Sequence, residues 1–354
     1  MNAIDNSLRQ LASKNGSDLH YIAGQPPRIR VYGELQAIDP DLLTAEQAQQ
    51  ALTEIMSAKS RKEFEEHDSV DFAYALDDVA RFRVNVFRHL GGMGGVMRAI
   101  PSVAKSLADL NMPPVLTNLC RHTQGMILVT GKTGSGKSTT LAAMIDELNR
   151  TISGHILTIE DPIEFVHTRK RCLMSQREIG KHTRSFAAAL HSALREDPDV
   201  ILVGEMRDLE TMSIAVTAAE MGILVMGTLH TNGAAATVDR IVNTFPADKQ
   251  GHVRTMLSTS LRGVISQQLV PKLGGPGLVA VLEVLVNTPA VANVIRQGKL
   301  DQLENTMMTG RKDGMITMDT ALKEFVHNGI ISGKSAYQAA LEKNSFEDMK
   351  DLDE

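Results

Sequence analysis

Apolar and polar residues alternate along the first hundred residues; further on, short continuous apolar runs alternate with helical segments. Ser17-Asp18-Leu19-His20-Tyr21-Ile22 reads as a turn entering a strand, and Gly24-Gln25-Pro26-Pro27 as a turn. Arg28-Ile29-Arg30-Val31-Tyr32 alternates as a half-buried strand does, and Gly33-Glu34-Leu35 follows as a hairpin end. Residues 45–58 and 59–66 read as helices. Val70 to Leu76 and Arg81 to Phe87 alternate again around a turn at Asp77-Asp78. Val96 to Ile100 is a further strand after a flexible run, Gly91-Gly92-Met93-Gly94-Gly95. These signals predict a small α+β domain with an antiparallel sheet over residues 1–100.

A linker over 101–113 then runs from Pro101 to the pair Pro113-Pro114. From Gln124 onward, candidate strands at 126–130, 155–160, 199–204 and 223–228 alternate with candidate helices at 139–150, 185–195 and 209–221. That alternation implies βαβ units and a mainly parallel sheet, placing an α/β core over 114–286. Residues 287–354 read as mostly helical, ending in a loose acidic tail, FEDMKDLDE. No internal repeat or low-complexity block is visible.

Candidate chemistry concentrates after the apolar runs. Gly131-Lys132-Thr133-Gly134-Ser135-Gly136-Lys137-Ser138 satisfies Gly-x-x-x-x-Gly-Lys-Ser/Thr between a predicted strand and a predicted helix, the context that motif requires. Its glycines let backbone N–H groups point at phosphate oxygens, and the helix N-terminus adds partial positive charge. Lys137 is placed to reach the β- and γ-phosphates and Ser138 to hold Mg²⁺, with Thr139 next in the helix. Leu157 to Phe165 brings Glu160, Asp161 and Glu164 to a strand end, where hydrolysis needs a group that orients water; a solvated acidic loop is the alternative. Val200-Ile201-Leu202-Val203-Gly204-Glu205 is an apolar strand ending in an acid, the Walker B pattern, with Glu205 as a second Mg²⁺ contact. His230 ends another apolar strand, and from position alone a structural histidine and a γ-phosphate sensor are equally open. Arg83 and Arg98 sit on alternating strands; each is either a surface arginine or a cation donated to a neighbouring subunit's phosphates.

Composition narrows the classes. Hydrophobic residues make up 43% of 354, enough for a proper core in one large domain or two. A net charge of −5 argues against a nucleic-acid binder, which usually carries a basic domain. No apolar run approaches the roughly 18 residues of a membrane span. The polar N-terminus lacks a signal-peptide core, giving a cytoplasmic expectation. The two cysteines, Cys120 and Cys172, form no Cys-x-x-Cys pair, so a zinc or redox motif is not indicated.

Together GKTGSGKS, TIEDPIEF, VILVGEMRD and GTLHT resemble the Walker A, Asp box, Walker B and His box of the type II/IV secretion ATPases, and within them the PilT-type retraction ATPases of type IV pili. The resemblance covers nearly the whole chain. Supporting the retraction branch are the short opening SDLH…GQPPRIRVYGEL and the lack of both an extra N-terminal domain and a tetracysteine zinc motif. The resemblance implies a RecA-like core, a PAS-like N-terminal domain and a helical C-terminal region. It implies a homohexamer binding ATP and Mg²⁺ at the cytoplasmic face of the inner membrane, with a pilus platform protein and a paralogous retraction ATPase as partners. By motif position Glu164 is the catalytic base, Glu205 the Walker B acid, His230 the His-box residue, and Arg83 and Arg98 the arginines contacting nucleotide. One stretch departs from the family: its helix motif AIRNLIRE reads here AVANVIRQ, with Ala292 for the first Arg and Gln297 for the Glu. An accessory PilU-type motor and an extension or secretion ATPase are the alternatives.

Overall fold

A computed structural model describes residues 3–14, 16–31, 34–76, 79–100, 104–275 and 277–349. The chain forms two compact units: Met1–Val103 with Glu164–Val166, and Ala104–Ile163 with His167–Glu354.

The first unit begins with a helix that the polar look of the N-terminus conceals. α1 (Ala3–Ser13) spaces Ile4, Leu8 and Leu11 on one face, and all three are fully buried. Then follow β1 (Asp18–Ile22), β2 (Arg28–Val31), β3 (Glu34–Ala37), α2 (Ala45–Glu54), α3 (Ala58–His67), β4 (Ser69–Leu76), β5 (Ala80–His89) and β6 (Gly92–Ile100). Among the described residues the sheet order is β3-β2-β1-β6-β5-β4, and every pairing is antiparallel. Alternation sets its faces: on β5 Phe82, Val84 and Val86 are fully buried, while Arg83 between them is exposed. The expected turn at Asp77-Asp78, the residues Tyr32 and Gly33, and Pro101 lie outside the described residues.

Two expectations in this unit need correction. The helix read over 45–58 stops at Glu54, because Ser57 caps a new helix by accepting from Ser60 N at 3.1 Å. The glycine run 91–95 is no flexible break; Gly91 is in the turn and Gly92 to Gly95 are the start of β6. There a Cβ on Gly95 would lie 2.6 Å from Leu52 Cδ2, so glycine lets α2 pack directly on the strand.

The second unit opens with α4 (Pro114–Leu119), with Pro114 at the first helical position. It continues with β7 (Gly125–Thr130), α5 (Lys137–Thr151), β8 (His155–Glu160), β9 (Leu173–Glu178), α6 (Phe186–Ala193), β10 (Val200–Val203), α7 (Leu209–Glu220), β11 (Leu224–Leu229), α8 (Ala234–Thr244) and α9 (Ala247–Ser260). β12 (Leu261–Pro271) and β13 (Leu278–Val286) follow, then α10 (Pro289–Gln297), α11 (Leu303–Thr309), α12 (Met318–His327) and α13 (Gly333–Ala339). The sheet order is β13-β12-β7-β11-β10-β8-β9, parallel except for the edge pair β12–β13. Its central strands β7, β11 and β10 are buried throughout and mainly apolar because both faces are covered. Ile127, Val129, Leu202 and Met226 pack with Leu141, Met144 and Ile145 of α5. Met126, Leu128, Ile201 and Val203 pack on the opposite side with residues of α6 to α9. This is the α/β core that the alternation predicts, RecA-like as the resemblance implies, with a C-terminal region that is mostly helical.

The tail is less loose than its composition suggests. Phe346 has no exposed surface and joins Leu322, Ile331 and Ala336 against Val270 and Val281. Burying such a ring contributes about 1.5–3 kcal/mol, which holds the chain down as far as the described residues run. Residues 350–354 of the tail lie outside them.

Candidate active site

β7, β11, β10 and β8 are successive parallel neighbours, so the loops leaving their C-terminal ends line one edge of the sheet in that order. Open parallel sheets place their sites at this edge. The phosphate-binding motif leaves β7, His230 leaves β11, Glu205 leaves β10, and Glu160 ends β8.

In the first of these loops Gly131 has φ of 137° and Gly136 has φ of 86°. A Cβ on Gly131 would lie 2.3 Å from the carbonyl oxygen of Gln267, and one on Gly136 would lie 2.6 Å from Gln267 Nε2, so neither position accepts a larger residue. Gln267 itself braces the loop: its Nε2 donates to Ser135 O at 2.6 Å and its Oε1 accepts from Thr140 Oγ1 at 2.6 Å. Lys137 opens α5, and its buried ammonium donates to Gly131 O at 2.8 Å and Lys132 O at 3.0 Å. Lys132, Thr133 and Gly134 are exposed at the tip, while Ser138 and Thr139 are half-buried in the first turn of α5.

These features fit a nucleotide. The loop has no room for a Cβ at Gly131 or Gly136, and the buried Ser135 Oγ has no hydrogen-bond partner among the described residues. A 15-residue helix aims its positive end at the loop, beside the Lys137 ammonium. Mg²⁺ is usually held by one or two protein groups plus substrate phosphates, and the Ser138 hydroxyl and Glu205 carboxylate are oxygen donors of that kind.

Glu205 lies two residues beyond β10 in a segment tied on both sides. Gly204 N donates to Ile159 O at 2.7 Å and Met206 N donates to Thr228 O at 3.1 Å. Its carboxylate accepts from both Arg207 Nε and Nη2 and lies 2.9 Å from His230 Nε2. Burial works against its charge, but Arg207 and His230 outweigh burial and hold the carboxyl below the usual range. The structure thus joins two of the residues singled out from sequence, Glu205 and His230, although they lie on different strands.

Of the remaining candidates, Arg83, Arg98 and Glu164 belong to the first unit and Glu160 to the second. Arg83 and Arg98 are direct cross-strand partners in the β5–β6 register. Side by side on that sheet, their charges are met by acids: Arg98 Nε donates to Asp18 Oδ1 at 2.8 Å and Arg83 Nε lies 3.8 Å from Asp71. Glu164 is exposed and belongs to the short segment that packs with this unit. Glu160 is buried, and its Oε1 accepts from Thr158 Oγ1 at 2.6 Å and Gln176 Nε2 at 3.2 Å.

The sequence reading missed Gln267, Ser266, Arg207 and Glu283. Glu283 interrupts an otherwise apolar strand, and that interruption is the signal that could have found it; Gln267 stands in a polar run, Ser266-Gln267-Gln268, with no such mark.

A family model described as type II/IV secretion system protein matches residues 2–276. The chain is 51% identical over 335 residues to the type IV pilus retraction ATPase PilT of Pseudomonas aeruginosa, spanning 95% of this chain and 97% of that one. It is 51% identical over 325 residues to the twitching motility protein of Neisseria gonorrhoeae, spanning 92% and 87%. Its fold matches the crystal structure of the pilus retraction motor PilT with bound ADP at a TM-score of 0.91, with 44% identity over 98% of this chain and 99% of the other.

Proposed function

The chain belongs to the type II/IV secretion system protein family, and from that premise we propose that it is an ATPase motor powering type IV pilus retraction. The observation that carries this reading is the edge of the core sheet. A phosphate loop, His230 and Glu205 stand there on consecutive strands, with His230 2.9 Å from Glu205.

In this reading the backbone of Gly131 to Gly136 and the Lys137 ammonium bind the phosphates of ATP. Ser138 and Glu205 hold Mg²⁺, which when bound neutralises charge on the phosphates. Glu164 orients the attacking water and accepts its proton. His230 senses the γ-phosphate through the loop after β11. Arg83 and Arg98 project charge from the first unit onto phosphates bound by an adjacent subunit of a hexamer, the device by which ring ATPases make hydrolysis depend on neighbours. Cycles of ATP binding and hydrolysis change the ring's shape and so do work on the pilus.

Its partners are then other copies of itself, a pilus platform protein at the inner membrane and a paralogous retraction ATPase. In this reading attachment to the membrane runs through that platform; no helix among the described residues is long and apolar enough to cross a membrane. An accessory role in retraction is favoured by one feature, the Ala292 and Gln297 departures on α10.

The test is a deletion strain beside a strain carrying Lys137→Ala. A retraction motor predicts surface pili in equal or greater number with surface-attached movement lost in both strains, and phosphate release from ATP by the purified wild type. Loss of pili would mark an extension motor instead. Weakened force with movement kept would mark the accessory role.

A further inference from the structure

Glu283 sits where β13 is otherwise apolar, in Val281-Leu282-Glu283-Val284-Leu285. The residue is buried, and its two carboxylate oxygens accept from backbone N–H groups: Oε1 from Ala234 N at 2.6 Å, Oε2 from Met318 N at 3.1 Å. Ala234 opens α8 and Met318 opens α12, so one carboxylate caps two helices, of 11 and 10 residues. Ser266 is the direct cross-strand partner of Glu283, and Ser266 Oγ accepts from Gly233 N at 2.9 Å. The pair therefore grips the consecutive N–H groups of Gly233 and Ala234. A Cβ on Gly233 would lie 3.4 Å from Glu283 Oε1, so the loop rests against the carboxylate.

The gripped segment begins at His230, three residues before Gly233. Between them Thr231 Oγ1 lies 2.7 Å from Thr237 Oγ1, and Thr237 Oγ1 donates to Gly233 O at 2.7 Å. With these contacts the loop 230–233 is tied to α8 inside and to the β12–β13 pair outside. The phosphate loop is braced separately, by Gln267 on the other face of β12.

We propose that Glu283 is a positioning residue for His230: it fixes the loop that carries the imidazole by clamping the start of α8, and it shares that clamp with the start of α12. This inference rests on the reading of His230 as a group that acts at the γ-phosphate. The carboxylate is suited to the task, since each oxygen meets a donor at the positive end of a helix. A carboxamide is not, because its NH₂ would face one of those N–H donors.

The experiment is single-turnover phosphate release from ATP by the full-length protein, with ADP binding measured by calorimetry. Glu283→Gln should lower the rate about tenfold and leave ADP affinity within about twofold, because the phosphate loop keeps its own brace. In a His230→Ala background the same change should produce no further loss, since the residue through which it acts is gone. Ser266→Ala, which removes only the adjacent hydroxyl, should show a smaller loss with the same non-additivity, and it keeps the test open if Glu283→Gln does not fold. A wild-type rate in Glu283→Gln overturns the proposal. So does an equal loss in both backgrounds, which is what a merely structural role predicts. A wild-type protein that releases no phosphate overturns the proposed function instead, and this inference falls with it.

Discussion

The two sheets of this protein present charge in opposite ways. The antiparallel sheet of the first unit carries Arg83 and Arg98 across its face, opposite one another and open to solvent at 51% and 71% of their side-chain surface. The mainly parallel sheet of the second unit carries no charge on its central strands and gathers it at their ends, where Lys137 is buried and Glu205 is largely covered. A strand-end group is held by its own loop and by neighbouring strands, so its chemistry is assembled within one subunit. A face arginine is held only by a cross-strand acid and needs another surface to act upon. The contrast predicts severe, subunit-autonomous losses from strand-end changes and weaker losses, dependent on assembly, from face changes.

Lys137→Ala tests the strongest form of that contrast. The ammonium is the main cation of the phosphate loop, and removing a preorganised charge of this kind should lower turnover by about 10³-fold or more. Phosphate release under saturating ATP measures it. A variant with more than a tenth of wild-type turnover would show that the strand-end site is not the seat of hydrolysis.

Glu164→Gln comes next, at on the order of 10²-fold, because an amide is a poor proton acceptor. Nucleotide affinity should stay near wild type. Glu164 leaves the end of β8 but packs with the first unit, so it probes whether strand-end logic extends across that segment. Turnover near wild type would remove it from the role of base.

These losses bear on how much was legible beforehand. The phosphate loop could be read residue by residue because its geometry is local: strand, glycines and helix follow each other in the chain. The strands β7, β8, β10 and β11 could be read because burial on both faces leaves short, mainly apolar runs. β9 could not, because its sequence, Leu-Met-Ser-Gln-Arg-Glu, is that of a half-exposed edge strand with no alternation. The β12–β13 pair was passed over despite its apolar runs, and with it went Gln267 and Glu283, whose roles depend on partners at Ser135, Thr140, Ala234 and Met318. Those contacts join residues far apart in sequence, and no local pattern records them. Alternation placed Arg83 and Arg98 on strands, but their direct pairing is a matter of register.

The same contrast in burial governs the response to pH. His167, on the second unit, is buried, and burial drops its pKa from 6.5 to about 4, with Asp146 pulling it up and Lys170 pushing it down. A histidine whose folded-state value lies below the unfolded value binds its proton more readily when the chain unfolds. Stability is therefore full above about pH 6.5 and falls as pH drops from there toward 4, by on the order of 2 kcal/mol between pH 7 and pH 5. Urea unfolding at the two pH values measures it, and His167→Gln should flatten the difference. An unchanged slope in that variant would place the acid sensitivity elsewhere.

The smallest expected effect is the most discriminating between the sheets. Arg98→Ala breaks a hydrogen bond to Asp18, whose side chain is buried although that of Arg98 is exposed; Asp18 keeps the Ser17 hydroxyl at 2.7 Å, so the cost to folding should stay at about 1–2 kcal/mol. If Arg98 acts on phosphates held by an adjacent subunit, turnover should fall about tenfold all the same. Three further observations should accompany that fall. Wild-type activity per subunit should decline on dilution, as rings come apart. Mixtures of Arg98→Ala and wild-type subunits should lose activity out of proportion to the fraction of variant. Mixtures of Arg98→Ala with Lys137→Ala should regain some activity, because a subunit with an intact strand-end site then meets a neighbour with an intact face. A wild-type monomer with full activity, or mixtures that simply average their components, would show that each subunit is complete alone and that the two sheets do not divide the work in this way.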